Sequence, residues 1–427
     1  MSAAPQTSRQ VPAPKDRAKI ISTIKKLVSE RHINVSNPNQ DYRPWIALVD
    51  ERTPRLIDLN DAQAFESGVG ELLRALGSSH TAFFHQRRDS VPAPYSINAT
   101  LRAVETPQGK RWMFLDVIED GPTFQAGIHP GELLLCIDSE PIIPPTPANF
   151  RIGGTHQLEI GTFGGDKRQV VIEVPNRAAK DRPPMIEPRS LSHRMLASDT
   201  GLVRVATFPG AVGQSFARGL DAAVRDLKGH GVQRLIVDIR GNIGGGLGSL
   251  RLLSYLCPGK LEIGYSVTRA RLRKGYRKER LTRIGKIPAT KAELLMMAVR
   301  FKLFQRDRSI VLVTEGLGRQ AFHGRTVVLI NEHTHSAAEM VASLAKENRV
   351  ATLVGTRTGG EVLGGANFKL PGGYVLRMPV AGWYTWKGEC IEGKGVEPDL
   401  TMLNSPESLA AGADTQLEKA LEVVKAL

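Results

Sequence analysis

Apolar positions along the chain follow two rhythms. Over residues 18–30, Ile20, Ile21, Ile24 and Leu27 fall on one helical stripe, and over 61–76 Phe65, Val69, Leu72, Leu73 and Leu76 form a second stripe that ends at Gly77. The stretch between them carries Asn, Pro and Asp and predicts irregular chain. From residue 95 the rhythm changes to short β segments at 95–104, 111–117, 133–137, 157–162 and 169–174, with a helical turn over 124–126 that closes at Gly127. Residues 176–188, rich in proline and charge, predict a linker. Beyond residue 190, strands at 203–208, 235–239, 327–330 and 351–354 alternate with helices at 213–227, from 250 onward, and after Ser336. This alternation predicts an α/β layer structure with helices packed over a sheet. There is no internal repeat.

The length of 427 residues leaves room for two or three domains. No apolar run approaches the roughly 20 residues of a membrane span. Residues 1–15 have the composition of a disordered start with no secretory leader, and Cys136, Cys257 and Cys390 show neither metal-ligand spacing nor an even count. A reducing, cytoplasmic setting is expected. The net charge is +14, with much of it between residues 265 and 308. A basic cluster of this kind can attract nucleic acid, an anionic membrane or an acidic peptide, and it also fits a solvated surface insertion. It lacks the interleaved aromatics of a single-strand groove, which argues against nucleic acid as a partner.

The segment Asn331-Glu332-His333-Thr334-His335-Ser336-Ala337-Ala338-Glu339 carries the strongest chemical signal. Ser336 stands at a strand-to-helix turn, where a hydroxyl is presented beside the free N–H groups of a helix start. A simpler role is also open, in which Ser336 caps the helix and Glu339 completes a capping box. The glycine-rich turn 241–248 lacks both P-loop and dinucleotide spacing. No His, Cys, Asp or Glu cluster has metal spacing, so neither a cofactor nor a metal is expected.

Five separated motifs occur in one order. They are Gly77-Ser78-Ser79-His80-Thr81, Asp238-Ile239-Arg240-Gly241-Asn242-Ile243-Gly244-Gly245-Gly246, the Ser336 segment, Gly355-Thr356-Arg357-Thr358-Gly359-Gly360, and Ile391-Glu392-Gly393-Lys394-Gly395-Val396-Glu397-Pro398-Asp399. In this order they resemble the C-terminal processing (tail-specific) and tricorn-core serine peptidases. The run 117–137, with Gly121, Gly127 and Gly131, resembles a PDZ domain of bacterial proteases. The resemblance implies an α/β core of the layered crotonase/ClpP-like kind, a small β-rich PDZ domain and a helical N-terminal segment. The expected boundaries are 1–90 for the region carrying Ser79-His80, 91–177 for the PDZ-like domain and 178–427 for the peptidase core. It also implies a peptide or protein substrate and leaves a homo-oligomer open.

The C-terminal processing branch uses a lysine base, and Glu361 occupies the matching position here. The tricorn branch uses a Ser-His-Thr histidine and a glutamate before the Gly-Val-x-Pro-Asp motif. The resemblance therefore implies a tetrad of Ser336 as nucleophile, His80 as base, and Ser79 and Glu392 behind it, with Glu361 as the alternative acid. Oxyanion donors are expected at Ala337 and at Gly244 or Gly245. His333 and His335 lie too close in sequence to Ser336 for in-line proton transfer. The expected activity is hydrolysis of peptide bonds in unstructured or C-terminal segments through an acyl-enzyme on Ser336. The alternative is a catalytically inactive PDZ-containing peptide-binding scaffold.

Overall fold

Successive side chains of a strand point to opposite faces. In the strand Arg325–Ile330, Val328 and Ile330 therefore join one apolar cluster while Val327 and Leu329 join another. The same split occurs in Arg234–Asp238, where Leu235 and Val237 face the first cluster and Ile236 the second. A strand apolar on both faces needs cover on both. Helices Gln214–Gly229, Gly248–Leu256 and Ala337–Asn348 pack against one side, and the helix Thr415–Ala426 packs against the other. The sheet runs Leu191–Ala197, Thr200–Val205, Arg234–Asp238, Arg325–Ile330, Thr352–Gly355, Leu400–Thr401 in space, with every neighbouring pair after the first parallel. This computed structural model describes residues 11–35, 40–88, 90–176, 185–257, 259–304 and 309–427, and the architecture is mixed α/β. The expected disordered start and linker fall largely at 1–10 and 177–184, outside those residues.

A second sheet is organised by the long strand Tyr374–Thr385, which pairs with Ala82–His85, Gly364–Lys369 and Glu262–Thr268. Its Tyr374, Leu376 and Met378 side chains are covered by helices Pro14–Arg31, Arg43–Ile57 and Ala62–Arg74. The middle helix corrects the irregular chain expected there. Trp45, Val49 and Leu56 lie on its buried face, a spacing obscured in sequence by two prolines. Pro44 sits in the first turn, where a missing N–H costs nothing, and Pro54 lies close to the C-terminal end. Asp61 caps the next helix by accepting from the Ala64 N–H at 2.6 Å.

The third sheet, Ala99–Thr106, Gly109–Val117, Leu133–Ile137, Thr155–Gly161 and Lys167–Glu173, encloses its own core of Phe114, Leu134, Phe150, Leu158 and Ile172. Its first strand starts at Ala99 rather than residue 95, because Ala93–Ser96 forms a helical turn held by the Ser96 hydroxyl on the Pro92 carbonyl (3.0 Å). Polar contacts tie this β module to the core. Asn331 Nδ2 donates to Asp116 Oδ2 at 2.9 Å, and Arg102 Nε donates to Glu332 Oε1 at 2.6 Å.

The basic stretch is not wholly a surface insertion. It begins inside the strand Glu262–Thr268, and Arg269 is buried over the Tyr42 ring, 4.6 Å from its centroid, with a hydrogen bond to the Ser29 carbonyl.

Candidate active site

Ser336 follows a strand buried on both faces and directly precedes the helix Ala337–Asn348. Its backbone adopts φ 56°, ψ −119°. A non-glycine residue pays roughly 1–3 kcal/mol for so sparsely populated a conformation, and an ordinary N-cap serine sits in the β region instead. The surroundings hold it there. The Ser336 N–H is shared between the Glu361 carbonyl at 2.8 Å and Glu339 Oε2 at 3.0 Å. Glu339 is fully buried, and its other contacts come from Thr358 Oγ1 (2.7 Å), the Gly360 N–H (2.7 Å) and the Glu361 N–H (2.8 Å). Burial pushes the Glu339 carboxyl above its usual range, and these donors pull the other way. Glu339 therefore clamps the Gly359–Glu361 turn onto the Ser336 segment, which goes well beyond closing a capping box.

The glycine turn lies against this serine. A Cβ on Gly244 would come within 2.6 Å of Ser336 Cβ, and one on Gly245 within 2.0 Å of the Phe208 carbonyl oxygen. Both glycines have positive φ. Buried Asn242 links the two segments: its carbonyl accepts from the His335 N–H at 2.8 Å, and its Oδ1 accepts from the Gly244 N–H at 2.8 Å. The Gly244 N–H is thus already engaged. Among the described residues, the Gly245 and Ala337 N–H groups have no hydrogen-bond acceptor.

His80 arrives from the opposite end of the chain. Pairing of Ala82 with Arg377 fixes the turn that precedes that strand, and His80 packs near Gly365. The turn is also tied to the N-terminal helices, since Ser78 Oγ lies 2.8 Å from His32 Nε2 and 3.0 Å from Thr81 Oγ1. Ser79 Oγ lies 2.8 Å from His80 Nδ1, and the Ser79 N–H donates to Glu392 Oε1 at 3.2 Å. Glu392 Oε2 accepts from the Val362 N–H at 2.8 Å, so one carboxylate bridges the His80 turn and the loop behind Ser336. Its contact with Ser79 is through the backbone rather than the hydroxyl. No hydrogen bond joins His80 to Ser336 among the described residues. Such contacts commonly tighten only when substrate is bound.

The electrostatics favour a neutral imidazole. Burial lowers the His80 pKa to about 4, and the nearby Arg377 and His335 lower it further. His335 is also brought down to about 4, by burial and by His333. Glu361 Oε2 lies 3.8 Å from His335 Nδ1. Burial raises the Glu361 carboxyl, as does the charge of Glu392, while Arg377 opposes them. Arg377 was not anticipated from the sequence. It is an exposed strand residue, and only the pairing of remote strands brings it to His80.

The sequence-predicted residues thus form two groups. Ser336, Ala337, Gly244, Gly245 and Glu361 meet at one turn, while Ser79, His80 and Glu392 form a hydrogen-bonded set beside it. No group of three or more His, Cys, Asp or Glu side chains able to hold a metal occurs among the described residues.

Comparison with known proteins reaches the same region. The profile of Peptidase family S41 matches residues 199–402. A tricorn protease homologue of Streptomyces coelicolor is 25% identical over 400 residues, covering 89% of this chain and 30% of that protein. The carboxy-terminal-processing protease of Bartonella bacilliformis is 23% identical over 401 residues, covering 88% of this chain and 79% of that protein. The chain therefore spans about a third of the tricorn relative. Among solved structures, a photosystem II D1 C-terminal processing protease superimposes with a TM-score of 0.56 at 17% identity, covering 96% of this chain and 97% of that one. At that identity the superposition shows a shared fold.

Proposed function

Because the profile of Peptidase family S41 matches residues 199–402, we propose that this chain is a serine-type peptidase that cleaves peptide bonds through an acyl-enzyme on Ser336. The observation that carries this reading is the strained Ser336 backbone packed against Gly244, with the N–H groups of Gly245 and Ala337, which have no acceptor among the described residues, alongside. His80 takes the hydroxyl proton as Ser336 attacks the scissile carbonyl and returns it to the leaving amine. Ser79 holds the other imidazole nitrogen, and Glu392 anchors the turn. Ala337 and Gly245 stabilise the oxyanion; each such donor is worth about 3–4 kcal/mol in a transition state. Gly244 contributes close approach rather than a donor. Glu392 is favoured over Glu361 as the supporting acid because it touches the Ser79-His80 turn, whereas Glu361 leans toward His335.

The β module is proposed as a PDZ-like domain over residues 91–177, which takes an extended peptide by strand addition. The peptidase core is proposed as a crotonase/ClpP-like layered unit over 178–427, with the His80-bearing region at 1–90. A cleft of about 1050 Å³ supports peptide entry. It runs between Asn98, Asp120 and Gln125 on the module and Pro209 to Arg218 on the core, and the Gly246 backbone packs on the Gly210 carbonyl at its edge. The substrate class that fits is an unstructured or C-terminal protein segment. Three unpaired cysteines support a reducing, cytoplasmic setting. Among the described residues, no helix is long and apolar enough to cross a membrane.

Labelling with a fluorophosphonate and turnover of a mixed peptide library test the reading. Wild type labels and cleaves. Ser336→Ala stays folded and does neither. Peptide turnover that survives in Ser336→Ala removes the nucleophile, and binding without turnover in wild type leaves the inactive scaffold.

A further inference from the structure

Residues 271–299 carry nine Lys and Arg against two Glu, so this short stretch holds half of the chain's net charge of +14. It includes the end of the helix Arg269–Lys274, the turn Lys278–Arg280, the edge strand Thr282–Ile284 and the start of the helix Lys291–Phe304. On that last helix Leu295, Met296 and Val299 are 66%, 67% and 44% exposed. They share a shallow apolar groove with Ile284 and Pro288, and Arg283 and Lys286 line it as well. Arg283 and Lys286 are paired, to Glu262 at 2.8 Å and Glu293 at 2.7 Å. Arg273, Lys274, Arg277, Arg280 and Lys291 are exposed and make no ion pair among the described residues.

We propose that this stretch docks on an anionic lipid surface, with Leu295, Met296 and Val299 entering the headgroup–acyl boundary and the lysines and arginines of the same stretch pairing with lipid phosphates. Exposed aliphatic side chains together with lysine and arginine bind an acidic membrane surface by combining apolar burial with attraction to its headgroups. Charge decides against one other occupant and apolar exposure against another. A second copy docked through a two-fold axis sets this basic face against itself, at a Coulombic cost. A nucleic acid satisfies the cations but leaves the apolar side chains uncovered. The proposal is independent of the peptidase reading. It adds a surface remote in sequence from Ser336 and His80.

Flotation of the full chain with vesicles tests it. The chain is expected to float with phosphatidylglycerol–phosphatidylcholine vesicles at low salt, not with phosphatidylcholine alone, and to be released at high salt. L295D/M296D and R277E/R280E each lower the partition coefficient by about tenfold or more, with unchanged thermal melting and unchanged cleavage of a short soluble peptide. The charge-reversal pair keeps the test decisive if the apolar pair perturbs the helix. The proposal fails if wild type stays unbound, if neutral vesicles bind equally, or if both variants retain lipid binding. It fails equally if L295D/M296D instead converts a dimer to monomer in sedimentation, or if mixed-sequence RNA binds more tightly than the acidic vesicles.

Discussion

Two histidines stand beside the Ser336 turn, and they reach it in opposite ways. His335 comes with the turn itself. It lies one residue before Ser336, is confined by Gly359, where a Cβ would come within 2.2 Å of its ring, and has its backbone N–H fixed by Asn242. His80 is brought by a separate strand more than 250 residues away in sequence, and a hydroxyl orients its Nδ1 at 2.8 Å. Burial lowers both to a pKa of about 4, so acidity does not separate them. Orientation does. An imidazole with Nδ1 held by Ser79 keeps Nε2 as its proton acceptor, which is what the proposed general base requires. His335 is fixed by packing against the Gly359 turn, and its Nδ1 is buried with no hydrogen-bond partner among the described residues.

The sharpest way to break this contrast is to delete each imidazole in turn. His80→Ala is expected to lower kcat/KM by about 10²–10⁴-fold, the usual contribution of a positioned general base, with His335→Ala close to wild type. If steady-state kinetics show the reverse ranking, His335 is the base. A smaller effect is expected from Ser79→Ala, which frees the His80 ring without removing it. The loss should appear in kcat more than in KM, and a pure KM effect would assign Ser79 to substrate binding.

The pH profile separates the two further. A neutral His80 with a pKa of about 4 predicts activity that persists below pH 6 and falls as pH drops toward that value. Arg377→Gln removes a cation that lowers the His80 pKa, so the acid limb moves to higher pH. An unmoved limb in that variant would place the titrating base elsewhere.

The smallest expected effect is on stability. His32, His80 and His335 all have folded pKa values lowered from 6.5 to about 4. Between those two values the unfolded chain binds more protons than the folded one, so stability rises with pH across the window. It is complete above about 6.5 and is lost as pH falls toward about 4. Urea midpoints at neutral pH and near pH 5 measure this, and an unchanged midpoint would mean that these imidazoles titrate normally in the fold.

Part of the architecture follows directly from local pattern. Runs such as Val327 to Ile330 are apolar at every position, and only a strand covered on both faces can bury them. Glycines at 77, 127, 244 and 245 occupy positive-φ positions that a side chain would strain. Local pattern failed at Arg43–Ile57, where two prolines disguised a helix whose stability comes from packing Trp45 and Val49 against its neighbours. It failed again at Arg269, a basic residue in a basic run that proved to be buried over an aromatic ring.

The sequence by itself determined the parts: a serine at a strand-to-helix turn, glycine segments that admit close backbone approach, a histidine after a helix-ending glycine, and the motif order that marks the family. Tertiary structure alone decided which glycine N–H stays unpaired, that Glu339 is a buried clamp, and that Arg377 stands by His80. The physical reason is that hydrogen-bond allocation and charge proximity depend on which distant strands pair. Periodicity along the chain records which face of an element is buried, but not which other element buries it.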